Sequence, residues 1–195
     1  AVFVVSAVEG VEVQTEYAWG VAEDHGVPRM VFINKLDKER ASFDRTLAQL
    51  RDRFGAGMAP IELPIGEQSD FRGVADLFRD KAYVYDSGHA EEAEIPKSMS
   101  EREHEVHDNL VEGIVVADDD LLEQYLEGNV PSPAELEKAM AVGVADASVF
   151  PVVCGSATGP PASTRGAGWS PSRTSRAGRR SSSTTTARIR RSRRS

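Results

Sequence analysis

The sequence has too few cysteines for an intramolecular disulfide, because Cys154 is the only one among its 195 residues. A single thiol also excludes a zinc site built from several cysteines of this chain. Long apolar runs are missing: stretches such as 1–7 and 148–154 fall far below the roughly 18 to 20 residues of a membrane-spanning helix. The start of the chain lacks the basic residues of a signal peptide. We therefore expect a cytoplasmic protein with no membrane partner.

Acidic residues and lysine are absent from the last part of the chain. Residues 159–195 contain ten arginines, whereas 1–158 contain 13 basic and 31 acidic side chains, which gives net charges of +10 and −18. With Trp169 and Ile189 as its only large apolar residues, the tail cannot offset the entropy of ordering, and we predict disorder. Two explanations remain open: a reading-frame slip near Thr158, or a genuine Arg/Ser-rich tail that binds RNA phosphates nonspecifically.

Two apolar runs and two amphipathic patterns predict an α/β unit at the start of the chain. Residues 1–7 and 30–34 are continuous apolar runs, typical of strands in a parallel sheet that is covered on both faces. Helices are predicted over 13–25 and 43–54. The apolar stripes of the two helices consist of Val13, Tyr17, Val21 and Ala22 and of Phe43, Leu47, Leu50 and Phe54.

The pattern changes after this unit. Short segments with turns predict antiparallel strands, followed by three helices and a last buried strand of the parallel type. In that strand Pro151 is expected at an end or an edge, because it has no N–H to donate. The predicted helices cover about 99–113, 117–127 and 132–146. The predicted parts are a partial, mostly parallel sheet domain over 1–56, an inserted α+β subdomain over 57–147, the last strand and its loop over 148–158, and the tail over 159–195.

The segment VFINKLDKER, residues 31–40, runs from a buried strand directly into Asn34, Lys35 and Asp37, an NKxD pattern. Side chains at the carboxyl end of a parallel strand face the crevice where open α/β sheets bind ligands. The Asp37 carboxylate has only acceptor atoms, so it matches the N1–H and N2–H groups of guanine, which adenine lacks. Asn34 suits a role in tying neighbouring loops together and touching the base, and the methylene stem of Lys35 can cover the base. A bare NKxD is also an ordinary turn sequence.

A second motif, CGSA at residues 154–157, follows the last predicted strand. Small side chains at Ser156 and Ala157 let backbone N–H groups approach a carbonyl, here the O6 of guanine, which adenine lacks. Gly-Ser-Ala alone is an ordinary turn, but its position after NKxD favours one joint site. We predict no catalytic residue and no metal ligand, and Cys154 as a buried apolar residue. The predicted guanine-binding residues are Asn34, Lys35, Asp37, Ser156 and Ala157.

These motifs and the segments around them resemble the G domain of elongation factor G and its paralogues among the translational GTPases. The similar segments are VVSAVEGVEVQTE, GVPRMVFINKLD, FRGVADLFRDKAYVYD, LLEQYLEG and FPVVCGSA. The 118 residues between Asp37 and Ser156 also resemble this family, which carries an inserted subdomain there. The resemblance implies a P-loop-GTPase-type fold, GTP or GDP binding, Mg²⁺ in the intact family, ribosome-stimulated hydrolysis and a role in ribosomal translocation.

Motifs for the phosphates and Mg²⁺ are missing from the sequence. No G-x-x-x-x-G-K-[ST] occurs, and no glycine is followed by lysine. The letters DxxG occur at 52–55 and 70–73, but both follow NKxD, whereas the family has its DxxG before it. We therefore expect a partial G domain that begins after the family's DxxG, recognises guanine and does not hydrolyse GTP alone.

Two further hypotheses remain open. The chain could be a non-enzymatic ribosome- or RNA-binding fragment that acts through its insert and basic tail, in which case binding weakens steeply with salt. It could also be an unstable product, since a parallel sheet with an exposed edge favours aggregation. No DNA partner is expected.

Overall fold

The computed structural model describes residues 1–86, 89–115 and 119–157. The tail that the sequence predicts to be disordered, 159–195, lies outside the described residues. No helix within the described ranges combines the length and the apolar character needed to cross a membrane.

The described residues form eight strands and five helices, joined by turns and two short 3-10 segments. In chain order these elements are β1 (Val2–Ser6), α1 (Val13–Asp24), β2 (Met30–Asn34), α2 (Phe43–Phe54), β3 (Met58–Pro60), β4 (Glu62–Ile65), β5 (Gly73–Asp76), β6 (Lys81–Asp86), β7 (His89–Ala93), α3 (Ser100–Val115), α4 (Asp119–Leu126), α5 (Pro133–Ala145) and β8 (Phe150–Cys154). The helices agree with the predicted ones to within about two residues at each end.

A parallel sheet with strand order β1-β2-β8-β3 forms the first layer. Its outer strand β3, Met58–Pro60, pairs in parallel with β8. The sequence pattern predicts antiparallel strands in this segment, which is wrong for β3. A three-residue strand carries too few side chains for its pattern to reveal its partner. The predicted boundaries of the insert at 57 and 147 stay a prediction, although β3 lies inside them and belongs to this sheet.

Pro151 is the second residue of β8, which is an interior strand and not an edge. Successive residues of a parallel strand bond to opposite neighbours. Phe150 donates its N–H to Gly57 on the β3 side, and Gly155 donates to Ile33 on the β2 side, so the missing N–H of Pro151 faces β2. Pairing between β2 and β8 begins only at the next residue, Val152. Pro151 thus lies just before that pairing, where the sheet needs no donor from it.

The second layer is an antiparallel sheet with strand order β4-β5-β6-β7. Its first strand follows directly on β3, and backbone bonds cross between the layers: Ile61 donates to the Val152 carbonyl at 3.0 Å, and Leu77 donates to the Ile61 carbonyl at 3.1 Å. Apolar residues of both sheets belong to one buried cluster. The combination of parallel and antiparallel sheets with helices confirms the predicted α/β class with an α+β part.

The two first helices differ in how well the sequence predicts their buried faces. All four stripe residues of α2 face the core, with Phe43 and Leu50 fully buried. In α1 the predicted stripe is right for Ala22, which is buried, and wrong for Val13 and Tyr17, which are 78% and 72% exposed. The largest core contact of α1 is made by Trp19, whose ring centroid lies 4.9, 4.4 and 5.0 Å from those of Phe3, Phe54 and Phe150. Trp19 removes the most apolar surface from water, so its burial determines which face of α1 packs against the core.

Candidate guanine-binding site

The strand register brings the two predicted motifs together. Ser6 lies opposite Asn34 in the β1–β2 pairing, and Ile33 lies opposite Cys154 in the β2–β8 pairing. The carboxyl ends of three parallel strands therefore meet at one edge of the sheet. The strand β2 ends at Asn34, the loop after β8 carries Ser156, and both lie at the edge of the sheet where open α/β sheets generally bind ligands.

Asn34 joins the two loops through its side-chain oxygen. Its Oδ1 accepts the N–H of Lys35 at 2.8 Å and the N–H of Ala157, 123 positions away in the sequence, at 2.9 Å. Asn34 is therefore a bridge, in the position that the sequence prediction expects. In this arrangement the Ala157 N–H, which is predicted to read a base carbonyl, is already held by Asn34.

Asp37 is fixed by contacts to both of its carboxylate oxygens. The Ser156 hydroxyl donates to Oδ1 at 2.5 Å, and Lys38 Nζ lies 2.7 Å from Oδ2. Burial alone would raise the pKa of Asp37, but the hydrogen bonds from Lys38 and Ser156 outweigh it and hold that pKa below its ordinary value. At neutral pH the group is a carboxylate that can only accept hydrogen bonds. Ser156 thus orients Asp37, a role that the sequence prediction does not assign to its hydroxyl.

Lys35 takes a left-handed backbone conformation with φ 66° and an exposed side chain. Its Nζ lies 3.3 Å from Oε2 of Glu9, which also accepts a hydrogen bond from the Ser6 hydroxyl. These hydrogen bonds from Ser6 and Lys35 lower the pKa of Glu9. The sequence prediction misses Glu9. The available signal is its position just after β1, whose carboxyl end must lie beside that of β2.

Leu36, the variable letter of the NKxD pattern, anchors the loop from inside. Its side chain is fully buried, and its N–H donates to the Gly155 carbonyl at 3.3 Å. Gly155 in turn donates to Ile33 at 2.9 Å. Sequence reasoning gives Leu36 no role, although an apolar residue between charged ones marks a position that turns inward.

The five predicted residues bring acceptor and donor groups to one edge of the sheet. The oriented Asp37 carboxylate supplies acceptors, the Ala157 N–H is a donor in the neighbouring loop, and Lys35 extends its side chain to Glu9. All five lie in two loops that contact each other directly.

A family model described as the elongation factor Tu GTP binding domain matches residues 1–161. The chain belongs to this family. Elongation factor G of Mycoplasma pneumoniae (strain ATCC 29342 / M129 / Subtype 1) is 41% identical over 160 residues, which are 80% of this chain and 23% of that protein. A crystal structure of a Thermus thermophilus protein matches with a TM-score of 0.72 and 42% identity over 78% of this chain and 23% of that one.

The comparisons confirm the resemblance to a translational GTPase of the elongation factor G type. The chain spans 23% of the length of the relative and of the solved structure that it matches. The similarity therefore covers the part of this GTP binding domain that contains the loops after β2 and β8.

Within the described ranges, no group of three or more His, Cys, Asp or Glu residues could hold a metal ion. The two DxxG matches are not part of the loops after β2 and β8: 52–55 ends α2, and 70–73 leads into β5.

Proposed function

We propose that this GTP binding domain recognises the guanine base of GTP or GDP with Asn34, Lys35, Asp37, Ser156 and Ala157. The observation that supports this most strongly is the carboxylate of Asp37, which the Ser156 hydroxyl holds at the junction of the two loops. Two loops that are 119 positions apart in the sequence thus cooperate in presenting one acceptor group.

Each of the proposed contacts uses a group that the fold already orients. The oxygens of Asp37 accept N1–H and N2–H of guanine, and the Ala157 N–H turns from Asn34 to O6 or is shared between them. The Lys35 stem covers one face of the base. A site that leaves Asp37 unpaired with adenine discriminates against it by about 10⁴ to 10⁵ when the contacts are fully buried.

We propose further that base recognition is this chain's share of a translational GTPase that acts in the cytoplasm on the ribosome in translocation. The 195 residues contain no G-x-x-x-x-G-K-[ST] sequence, so they offer no dedicated cradle for the phosphates or for Mg²⁺. We expect weak nucleotide affinity and no GTP hydrolysis from this chain alone.

Titration calorimetry with GDP and Mg²⁺ tests the proposal, with ADP under identical conditions as the control. Heat of binding that occurs with GDP and not with ADP supports guanine recognition. Equal binding of both nucleotides contradicts it, because phosphate contacts do not distinguish the two bases. Where the heats are too small, NMR titration of the Asp37 and Ala157 amides extends the measurement to affinities in the millimolar range.

A second candidate function is supported by the composition of the tail. Ten arginines without any acidic residue between 159 and 195 favour nonspecific contacts with RNA phosphates. Binding to a single-stranded RNA should then fall steeply between about 50 and 200 mM salt. Affinity that does not change with salt contradicts this role, and it leaves the guanine proposal unaffected.

A further inference from the structure

We propose that Glu62 of the antiparallel sheet is a positioning residue for the loop after β8, so that the second layer of the fold sets the geometry of the candidate guanine site. This inference deepens the proposed function and rests on it for its meaning. The contact itself can be tested without any nucleotide.

The contact lies where β8 loses its strand partner. Even-numbered residues of β8 direct their N–H groups towards β3, but that pairing ends at Pro60 and Val152. The next such N–H, that of Cys154, therefore has no strand carbonyl opposite it. It donates instead to Oε2 of Glu62 at 3.2 Å. One carboxylate thus replaces the missing strand at the residue that precedes the loop.

Only Gly155 lies between Cys154, which makes this bond, and Ser156, the first residue of the candidate guanine site in the loop after β8. Gly155 follows Cys154 and bonds to β2 and to Leu36, and Ser156 and Ala157 then contact Asp37 and Asn34. A shift of Cys154 is therefore passed directly to the groups that orient Asp37 and bridge the loops. The side chain of Glu62 belongs to a different sheet and is 3% exposed.

The turn after β4 attaches to the first loop in the same way. Gln68 donates its backbone N–H to the Leu36 carbonyl at 2.7 Å, and Glu67 Oε1 accepts the N–H of Phe43, the first residue of α2, at 2.7 Å. The strand β4 is thus bonded to the end of β8, and the turn after β4 is bonded to the loop after β2. Two independent attachments from neighbouring residues indicate a support for the whole site and not a single chance contact.

Burying a carboxylate costs free energy, because its charged form loses its contacts with water. Burial raises the pKa of Glu62 to about 7, the Cys154 N–H opposes this rise, and nearby Asp76 adds to it. The other titratable groups that face it are Tyr85 of β6, whose pKa is raised to about 12, and the Cys154 thiol, whose pKa burial raises well above its ordinary value. Glu62 is therefore the group of this cluster that changes charge near neutral pH.

Amide NMR of the full-length, ¹⁵N-labelled chain tests the role without nucleotide. Glu62→Met keeps the volume and removes the acceptor, whereas Glu62→Gln keeps an oxygen in place. We expect faster hydrogen exchange at the Cys154 amide in E62M by about tenfold, the factor for one hydrogen bond, together with shifted Ser156 and Ala157 signals. The expected E62Q signals match the wild type at low pH. Unchanged Ser156 and Ala157 signals in E62M overturn the proposal.

If E62M does not fold, a pH titration of the wild type tests the positioning role of Glu62 independently. Ionisation of Glu62 should move the Cys154 amide signal and, with the same midpoint, those of Ser156 and Ala157; E62Q should abolish this change. A titration at Cys154 that does not reach Ser156 and Ala157 overturns the positioning role. Leu63→Val on the same strand is the matched control, because it weakens the core without touching the bond.

Adding GDP to the same samples separates the two proposals. Loops that respond to Glu62 but not to GDP support the positioning role and contradict guanine binding. Loops that respond to GDP in both the wild type and E62M to the same extent support guanine binding and contradict the positioning role.

Discussion

The two loops of the candidate site are held in different ways. The loop after β2 is anchored by its own strand and by residues close to it in sequence: Leu36 is buried beneath it, and Lys38 pairs with Asp37. The loop after β8 depends on distant side chains, because Asn34 and Asp37 bond to it and Glu62 bonds to Cys154, the residue just before it, each across more than ninety positions. The first loop therefore combines local anchors with distant ones, such as the bonds of Leu36 to Gly155 and Gln68, whereas the described bonds of the second loop come from distant residues.

The largest expected effect comes from Glu62, which tests the dependence of the second loop on the antiparallel sheet. Its folded-state pKa of about 7 lies above the ordinary 4.5, so the folded state binds the proton more tightly than the unfolded state. Stability should fall as pH rises from about 4.5 to 7, by an amount on the order of 3 kcal/mol from this group.

Urea unfolding across this pH range, for the wild type and Glu62→Gln, measures the effect. The variant cannot ionise and should lose this slope, so it should be more stable than the wild type above pH 7. Equal slopes in both proteins would show that Glu62 does not have a raised pKa.

Asp37→Asn tests the acceptor that both loops share. An amide offers one donor and one acceptor where the carboxylate offers two acceptors, so it no longer matches N1–H and N2–H of guanine. Affinity for GDP should fall about 10- to 100-fold, and xanthosine diphosphate, which has O2 in place of the amine, should bind better than GDP. NMR titration with both nucleotides measures this exchange of preference.

Asp44→Asn is the control for that variant, because Asp44 is an exposed carboxylate on α2 that pairs with Arg102 and not with either loop. Its nucleotide preference should remain that of the wild type. If Asp37→Asn also retains the wild-type preference, Asp37 does not read the base.

Asn34→Ala tests the bridge between the loops. The change leaves the N–H groups of Lys35 and Ala157 without their acceptor, so the free energy of unfolding should fall by about 1 to 3 kcal/mol. Hydrogen exchange should rise at Ala157 more than at Leu36, because the first loop keeps its other anchors. Asn129→Ala, at an exposed position, is the control for the loss of an amide. Equal increases at both amides would contradict the difference between the loops.

Ser156→Ala should have the smallest effect, about 1 kcal/mol in the free energy of unfolding at pH 7. Without the hydroxyl the pKa of Asp37 should rise towards its ordinary value. A carboxyl with a lowered folded-state pKa contributes stability above its unfolded pKa and loses it in acid, so the gap between wild type and variant should close as pH falls below about 4. Denaturation at pH 7 and pH 3 measures the gap; a constant gap would assign the loss to packing.

Local patterns predict the parts of the fold whose partners lie nearby. The continuous apolar run of β2 and the stripe of α2 appear where the sequence places them. The NKxD and Gly-Ser-Ala motifs are visible as well, because strand ends and turns have strong sequence signals. Local patterns do not predict the buried face of α1 or the partner strand of β3, because Trp19 and Met58 contact their neighbours only after the sheet has formed.

The sequence by itself determined which segments become strands and helices, and it placed five polar or small residues directly after two buried strands. Tertiary structure alone decided that Ser156 donates to Asp37, that Asn34 spans both loops and that Glu62 serves the end of β8. The physical reason is the range of the interactions. Backbone and apolar periodicity act over a few residues, whereas these hydrogen bonds exist only after two sheets have packed and brought distant donors and acceptors within reach.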